Sequence, residues 1–104
     1  MTENYVLQSL VPQFEVMPRY WTSEGKAEVD FIIQNGLEII PVEVKSATSI
    51  AGKSLRVYND IYAPRLRIRY SFNNLKKDDN LLNIPVFLAD WTNKMIYNLI
   101  FNTL

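Results

Sequence analysis

The chain has 104 residues, of which 48% are hydrophobic, and its 11 basic and 11 acidic side chains give a net charge of zero. A chain of this length suits one domain with a single core, so residues 1–104 are predicted to fold as one unit. The neutral charge leaves any nucleic-acid binding to a local patch. Histidine and cysteine are absent, which excludes disulfides, imidazole or thiolate zinc sites, and serine or cysteine triads.

The first segment is predicted to form a helix over about residues 3–11. Thr2 is a suitable N-cap, apolar residues follow it at helical spacing, and Pro12 lacks the amide that a longer helix would need. Glu3 lies one turn before Leu7, on the buried stripe of this helix. No apolar run approaches the roughly 20 residues of a membrane span, and no signal peptide precedes the helix. We therefore expect a cytoplasmic protein with no membrane contact.

The next segments are predicted to be strands joined by a tight turn. Residues 19–22 form a short strand. Residues 26–33 and 37–45 are rich in β-branched side chains and flank Asn35-Gly36, a dipeptide typical of two-residue hairpins. An antiparallel hairpin is therefore expected in the first half of the chain.

The elements after this hairpin are predicted to be, in chain order, a loop over 46–52, a helix over 54–62, a strand over 65–70, a loop over 73–83, a strand over 84–89 and a closing helix over 92–103. Apolar and basic residues alternate in the strand over 65–70, and the basic ones are Arg65, Arg67 and Arg69. This pattern indicates either a contact to phosphates or a solvated strand face.

The turn determines which residues of the hairpin share a face. In a type I′ loop at Asn35-Gly36, Gln34 pairs with Leu37, and Glu28 then lies directly across from Glu43. This register puts the charged residues on one face, namely Lys26, Glu28, Asp30, Glu43 and Lys45. The opposite face is predicted to be a core stripe of Val29, Phe31, Ile33, Ile40, Val42 and Val44.

Clustered carboxylates need compensation by cations. Lys26 and Lys45 can supply it, and so can Mg²⁺ or Mn²⁺, whose preferred ligands are carboxylate oxygens. The pattern fits a solvated sheet face of mixed charge as well, because a Glu-x-Lys sequence is common. Pro41 cannot donate to a ladder and is therefore a candidate bulge position.

Asp30, followed after a hairpin by Glu43-Val44-Lys45, resembles the core signature of PD-(D/E)XK nucleases, which include restriction endonucleases. The resemblance implies an α/β restriction-endonuclease-like fold, with a central mixed sheet that contains an antiparallel hairpin and is flanked by helices. It implies a metal-dependent endonuclease in which Asp30, Glu43 and the carbonyl of Val44 hold Mg²⁺ or Mn²⁺. Lys45 would orient the attacking water, and Glu3 would complete the site from the first helix.

The same resemblance implies roles for the remaining charged residues. Glu28 would be a further accessory acid or a structural partner for a nearby cation. DNA is the implied substrate, so Arg67 and Arg69 are candidate contacts to its phosphates.

A second resemblance covers most of the chain, from about residue 3 to residue 90. The segments 20–33, 40–46, 54–58 and 84–86 are similar to the C-terminal domain of bacterial and archaeal AAA-type ATP-binding proteins. This likeness implies a nuclease-like fold with an ATPase module as partner, although the chain lacks the Gly-x-x-x-x-Gly-Lys-Ser/Thr loop of such a module. A homodimer is the assembly that relatives of the fold suggest.

Three functions are consistent with these features. The first is a metal-dependent DNA nuclease, the second is a catalytically inactive nuclease-fold module that binds nucleic acid, and the third is an interaction domain that tethers an ATPase. The joint presence of Asp30, Glu43 and Lys45 favours the first two functions over the third.

Overall fold

The chain combines strands and helices in this computed structural model, which describes residues 2–23, 27–45 and 53–101. The strands are β1 (Arg19–Ser23), β2 (Ala27–Asn35), β3 (Glu38–Val44), β4 (Arg67–Ser71), β5 (Lys76–Asp78) and β6 (Leu81–Pro85). The helices are α1 (Thr2–Leu10), α2 (Lys53–Tyr62) and α3 (Thr92–Phe101). Two short 3-10 segments, Val11–Gln13 and Val86–Trp91, follow α1 and β6.

The strands form one six-stranded mixed sheet in the order β1-β2-β3-β4-β6-β5. The first three strands pair antiparallel with their chain neighbours. β4 is parallel to both β3 and β6, and β5 is antiparallel to β6. Parallel neighbours need a crossover connection, and α2 lies within the one that joins β3 to β4. The expected α/β class with a central mixed sheet is confirmed.

The two faces of the sheet are covered differently. One face, called here the core face, packs against α1, the 3-10 segment Val86–Trp91 and α3. Its buried apolar side chains are Val6, Leu10, Phe31, Ile33, Ile40, Val42, Val44, Leu66, Ile68, Tyr70, Leu82, Ile84, Val86, Ala89 and Ile96. The opposite face, called here the α2 face, carries a smaller cluster around α2.

The α2-face cluster is largely aromatic. Trp21 packs edge-on against Tyr58 with ring centroids 5.1 Å apart, and Tyr62 lies 4.7 Å from Tyr58. Val29 and Leu55 are buried beside Tyr58. Burial raises the pKa of Tyr58, and the neighbouring Tyr62 raises it further. The two tyrosines therefore serve packing, since successive turns of α2 contact Trp21 of β1 through them.

The register of the β2–β3 hairpin differs from the predicted one by two residues. Asn35 pairs with Glu38 and Ile33 pairs with Ile40, so the loop is Gly36-Leu37 instead of Asn35-Gly36. Gly36 takes the positive φ of +63° at the first loop position, which is the glycine position of a type II′ turn. The predicted register would have set Glu38 against Ile33 in the core, and the observed one avoids that burial of a charge.

The predicted core stripe is also broken, because β2 contains a bulge. Trp21 pairs with Val29 while Arg19 pairs with Ile32, so two residues of β2 stand opposite one residue of β1. Val29 and Ile32 consequently lie in the α2-face cluster, whereas Phe31 belongs to the core face. The ladder continues through Pro41, which pairs with Ile32, so the bulge is not at the proline.

The segment predicted as a loop over 73–83 contains a hairpin. β5 and the beginning of β6 lie there, and the segment predicted as a strand over 84–89 continues beyond Pro85 as a 3-10 turn. β5 is a short edge strand of sequence Lys-Lys-Asp whose residues are all exposed. An edge strand of this kind has no alternation of apolar and polar residues, so the sequence pattern did not predict it as a strand.

Gln13 joins the end of α1 to the start of α3. Its side-chain Nε2 donates to the carbonyl oxygens of Ser9 at 2.7 Å and Ala89 at 2.8 Å. Its Oε1 accepts the backbone N–H of Asn93 at 2.8 Å, which satisfies one of the amides that a helix N-terminus leaves without an internal partner. Within the described ranges, no helix has the length and apolarity needed to cross a bilayer.

The end of α2 gives a first prediction. Ala63 has a φ of +45°, and its N–H donates to the Asn59 carbonyl at 2.9 Å, so alanine occupies the left-handed position that usually favours glycine. Ala63→Gly should raise the free energy of unfolding by about 0.5–1 kcal/mol in urea titrations, since the Cβ penalty outweighs the added chain entropy. Ala89→Gly, at a buried position of ordinary φ, should lower it by about 1 kcal/mol. Loss of stability in Ala63→Gly would contradict this reading.

A second prediction concerns Tyr70, which is fully buried near the end of β4. Its hydroxyl donates to Thr92 Oγ1, because the Thr92 hydroxyl itself donates to the Ala89 carbonyl at 2.7 Å. Burial raises the pKa of Tyr70, and the hydrogen bond with Thr92 opposes that shift. The folded pKa lies above the unfolded value of about 10, so the stabilisation is complete below pH ~10 and is lost as the pH rises further.

Urea unfolding measured at neutral pH and across the range above pH ~10 tests this linkage. Tyr70→Phe should lose about 1 kcal/mol at neutral pH and should lose less additional stability than the parent at alkaline pH. Thr92→Val should also be destabilised at neutral pH but should keep the alkaline loss, because Tyr70 remains. Equal alkaline losses in the parent and in Tyr70→Phe would show that Tyr70 does not contribute.

Candidate functional site

Glu43 and Lys45 project from the end of β3 onto the α2 face. Val42 and Val44 alternate with them and are buried in the core face. The Lys45 N–H donates to the Tyr70 carbonyl at 2.8 Å, which extends the β3–β4 ladder one residue past the strand. The side chains of Glu43 and Lys45 are both half-buried on this face.

Asp30 is held against β3 by a hydrogen bond to the backbone. Its Oδ2 accepts the N–H of Val44 at 2.7 Å. Successive amides of a strand point to opposite sides, so the Lys45 amide faces β4 while the Val44 amide faces β2. Continuing the observed pairing of Phe31 with Val42 by one step brings Asp30 level with Glu43.

The bulge in β2 explains how Asp30 reaches this position. Phe31 stands opposite Tyr20, with ring centroids 6.0 Å apart, so Asp30 is the additional residue of the bulge. Bulges commonly re-aim one side chain beside a functional site. Here the carboxylate turns toward the end of β3 in place of a main-chain acceptor.

Glu43 has a cationic neighbour on the next strand. It pairs with Arg69 across the β3–β4 ladder, and Arg69 Nε donates to Glu43 Oε2 at 3.4 Å. The Glu43 side chain is 15% exposed and the Arg69 side chain is 24% exposed, so water screens the attraction between the two charges only in part. Arg69 therefore partly neutralises Glu43 at the place where a metal ligand was predicted.

The other two arginines of the predicted basic face hold structure together. Arg65 forms a 2.6 Å ion pair with Glu38 at the hairpin end. Arg67 donates through Nε to Asn80 Oδ1 at 2.9 Å and through its N–H to the Asn80 carbonyl at 2.6 Å. Burial lowers the pKa of the Arg67 guanidinium, although Asp79 opposes the shift.

Asn80 extends this contact to the end of α2. Its Nδ2 donates to Asn59 Oδ1 at 2.8 Å and to the Pro64 carbonyl at 3.0 Å. Arg67 and Asn80 thus fasten the C-terminal end of α2 to β4 and β6. Of the two arginines predicted to contact phosphates, Arg69 is the one that lies beside the acids.

The accessory acids have different outcomes. Glu3 lies in the first turn of α1, the helix that packs against the core face, and its part in the site stays a prediction. Glu28 does not lie across from Glu43, because the observed β2–β3 register, continued by one pair, brings Asp30 to that position. The side chain of Glu28, the whole of Lys26 and the loop 46–52 lie outside the described part of the chain.

The donor set decides which metal would fit. Among the residues that the structure describes, no group of three or more acidic side chains could hold a metal ion. Asp30, Glu43 and the Val44 carbonyl offer two carboxylates and one carbonyl, all hard oxygen ligands. Mg²⁺ is usually bound by one or two carboxylates, and water and substrate phosphates complete its coordination shell. Two carboxylates and one carbonyl therefore suit Mg²⁺ or Mn²⁺, which do not need a shell made only of protein ligands.

The sequence did not reveal the polar surface beside these residues. A pocket of about 300 Å³ lies next to Arg69 and is lined by Arg69, Asn73, Asn74, Lys76, Asp78, Leu81 and Asn83. Most of these residues fall in the segment predicted to be a solvated loop. The dipeptide Asp79-Asn80 between Asp78 and Leu81, which pair with each other, was the turn signal that could have indicated the hairpin.

The hydrogen bond at the bulge gives a third prediction. Asp30→Ala leaves the buried Val44 amide without its observed acceptor and should lower the free energy of unfolding by about 1–3 kcal/mol. Asp30→Asn keeps a side-chain oxygen at the same place and should cost less than half as much. Urea unfolding of both variants measures the difference, and equal stability of Asp30→Ala and the parent would rule out a structural role for this bond.

Comparison with known proteins gives one match. A family model described as "Domain of unknown function (DUF4143)" matches residues 1–88. No curated protein and no solved structure matches the chain.

Proposed function

The chain belongs to the DUF4143 family, and we propose that it is a Mg²⁺- or Mn²⁺-dependent phosphodiester hydrolase that acts on DNA. The observation that carries the proposal is the hydrogen bond from the Val44 N–H to Asp30 Oδ2 at 2.7 Å. It brings an acid of β2 to the end of β3 where Glu43 and Lys45 share the α2 face. Two acids and one ammonium group from two adjacent strands are the residues that such a hydrolase needs in one place.

The sheet topology supports the proposal at a coarser level. The antiparallel β2–β3 hairpin is followed by a crossover through α2 to the parallel strand β4, and helices pack on both faces. This arrangement agrees with the PD-(D/E)XK nuclease-like fold that the Asp30 and Glu43-Val44-Lys45 pattern resembles. Fold likeness alone does not establish an activity, so the side chains remain the main support.

The roles of the residues follow from their chemistry. Asp30 and Glu43 would hold the cation through carboxylate oxygens, and the Val44 carbonyl faces the same side as the amide that Asp30 accepts. When bound, the cation would polarise the phosphate and lower the pKa of a coordinated water. Lys45, on the face that Glu43 shares, would orient that water and stabilise negative charge on the phosphate oxygens.

Arg69 modifies this site through Glu43. A guanidinium 3.4 Å from the carboxylate competes with a cation for the same oxygen. Metal affinity should therefore depend on the arrival of a phosphate that draws Arg69 away or shares it. In this proposal, binding of DNA and binding of metal support each other.

A metal titration gives a fourth prediction. At a Mn²⁺ concentration of about ten times the dissociation constant, the melting temperature should rise by about 5 °C, because metal that binds only the folded state stabilises it. Asp30→Asn should abolish the rise while keeping an acceptor for Val44. Asp78→Asn, which removes an exposed acid on β5, is the matched control and should keep the rise.

Cleavage is measured with labelled single-stranded, duplex and branched DNA in the presence of Mn²⁺. Lys45→Ala, purified in parallel to expose contaminating nucleases, should reduce cleavage at least about 100-fold and should keep the thermal shift. Cleavage that persists in both Lys45→Ala and Asp30→Asn would refute the assignment of this site.

A second candidate function is a nucleic-acid-binding module without hydrolysis. The observation that favours it is that Glu43 already has Arg69 as a partner and Asp30 already accepts the Val44 amide. Salt-dependent DNA binding, with neither a thermal shift nor cleavage in Mn²⁺, would select this function over the first. For either function, the resemblance to AAA-type proteins suggests an ATPase module as the natural partner.

A further inference from the structure

One row of side chains crosses four strands of the sheet. Glu43 of β3 pairs with Arg69 of β4, Arg69 pairs with Asn83 of β6, and Asn83 pairs with Lys76 of β5. Residues that pair directly across strands share a face of the sheet. All four side chains therefore belong to the α2 face, and the row runs from the candidate metal site to the edge of the sheet.

The outer part of this row borders a pocket. α2 packs mainly over β2 and β3, and the pocket of about 300 Å³ lies beyond it, over β4, β6 and β5. Its lining combines the cations Arg69 and Lys76 with Asn73, Asn74 and Asn83, against one acid, Asp78. The two cations supply hydrogen-bond donors and positive charge, which suit phosphate oxygens.

Asn83 gives this pocket a fixed wall. Its Oδ1 accepts the Ser71 hydroxyl at 2.7 Å, and its Nδ2 donates to the carbonyls of Asn73 at 3.2 Å and Asn74 at 3.0 Å. Ser71 Oγ in turn accepts the N–H of Asn73 at 3.1 Å. The loop after β4 is therefore fastened to β6, and these hydrogen bonds hold one side of the pocket in place.

We infer that the cations of this row, Arg69 and Lys76, together with the pocket between them bind the phosphate backbone of DNA next to the hydrolytic site, with Lys76 as the outermost contact. Neighbouring strands are about 4.8 Å apart, so Lys76 lies about 14 Å from Glu43 across three strand spacings. One strand of B-form DNA carries about four phosphates over that length. The inference rests on the proposed function for its partner, but its test concerns Lys76, which the hydrolytic step does not use.

The chain itself supplies a matched control. Lys76 pairs with Asn83, whereas the adjacent Lys77 pairs with Leu82, a residue of the core face. The two lysines are exposed, carry the same charge and belong to opposite faces of one short strand. A comparison of Lys76→Ala with Lys77→Ala therefore separates the position of the charge from its amount.

The test is fluorescence anisotropy of labelled single-stranded and duplex DNA, without metal and in chelator, over a series of salt concentrations. Lys76→Ala should weaken binding of single-stranded DNA about fivefold at ~0.1 M salt and should reduce the slope of log affinity against log salt by about 0.7. Lys77→Ala should match the parent in both quantities. Circular dichroism melting of both variants checks that they are folded.

The outcomes separate this inference from the proposed hydrolase. Selective weakening in Lys76→Ala supports the inference even if Mn²⁺ produces no cleavage, in which case only the hydrolase fails. Equal effects of the two lysine variants, or no DNA binding by the parent, overturn the inference even if cleavage is observed.

Discussion

At the bulge of β2, the carboxylate of Asp30 accepts an amide of β3 that a regular ladder would give to a backbone carbonyl. The rest of the candidate site depends on this substitution of a side chain for the main chain. In a regular strand without a bulge, the side chains of β2 would alternate throughout and Val29 would join the core face. With it, Val29 and Ile32 both support α2, and the acid turns toward the end of β3.

The charges around β3 are arranged as a balance of partners. The carboxylate of Glu43 contacts the guanidinium of Arg69, and the carboxylate of Asp30 accepts the Val44 N–H. The backbone N–H of Lys45 continues the hydrogen-bond ladder to β4. Burial of half of a carboxylate is unfavourable unless it has such partners. The contacts that stabilise the fold are therefore the ones that compete with a cation for the carboxylate oxygens. Stability and ligand binding are thus coupled through Arg69, the residue that also begins the polar row.

Much of the fold was predictable from local pattern. The three helices and the strands β1 to β4 lie within a few residues of their predicted ranges, because helical spacing and alternation record which side of each element is buried. The register was not, since Asn35-Gly36 is a strong signal for one loop, whereas the observed register depends on the position of Glu38, which pairs with Asn35 at the hairpin end and not with Ile33. β5 was missed because an exposed edge strand of charged residues has no alternation to detect.

The site was predictable in its residues but not in its geometry. Asp30, Glu43 and Lys45 stood out by resemblance, yet the predicted partner of Glu43 was Glu28, and the two-residue change of register that brings Asp30 level with Glu43 is not indicated by the turn dipeptide. Arg69 contacts Glu43, which the sequence did not indicate, and its contact to phosphates stays a prediction. Long-range pairing of β4 with β6 created the polar row, and no local pattern contains that information.

The charged edge strand β5 also limits how copies of this chain can associate. Two sheets that meet edge to edge at Lys76–Asp78 would gain only three residues of backbone pairing and would have to desolvate exposed charged side chains. Continuation of the sheet from one molecule into the next is therefore disfavoured on that side. A twofold assembly would have to use the β1 side or a helical surface, which would leave the β5 side of each protomer open to solvent.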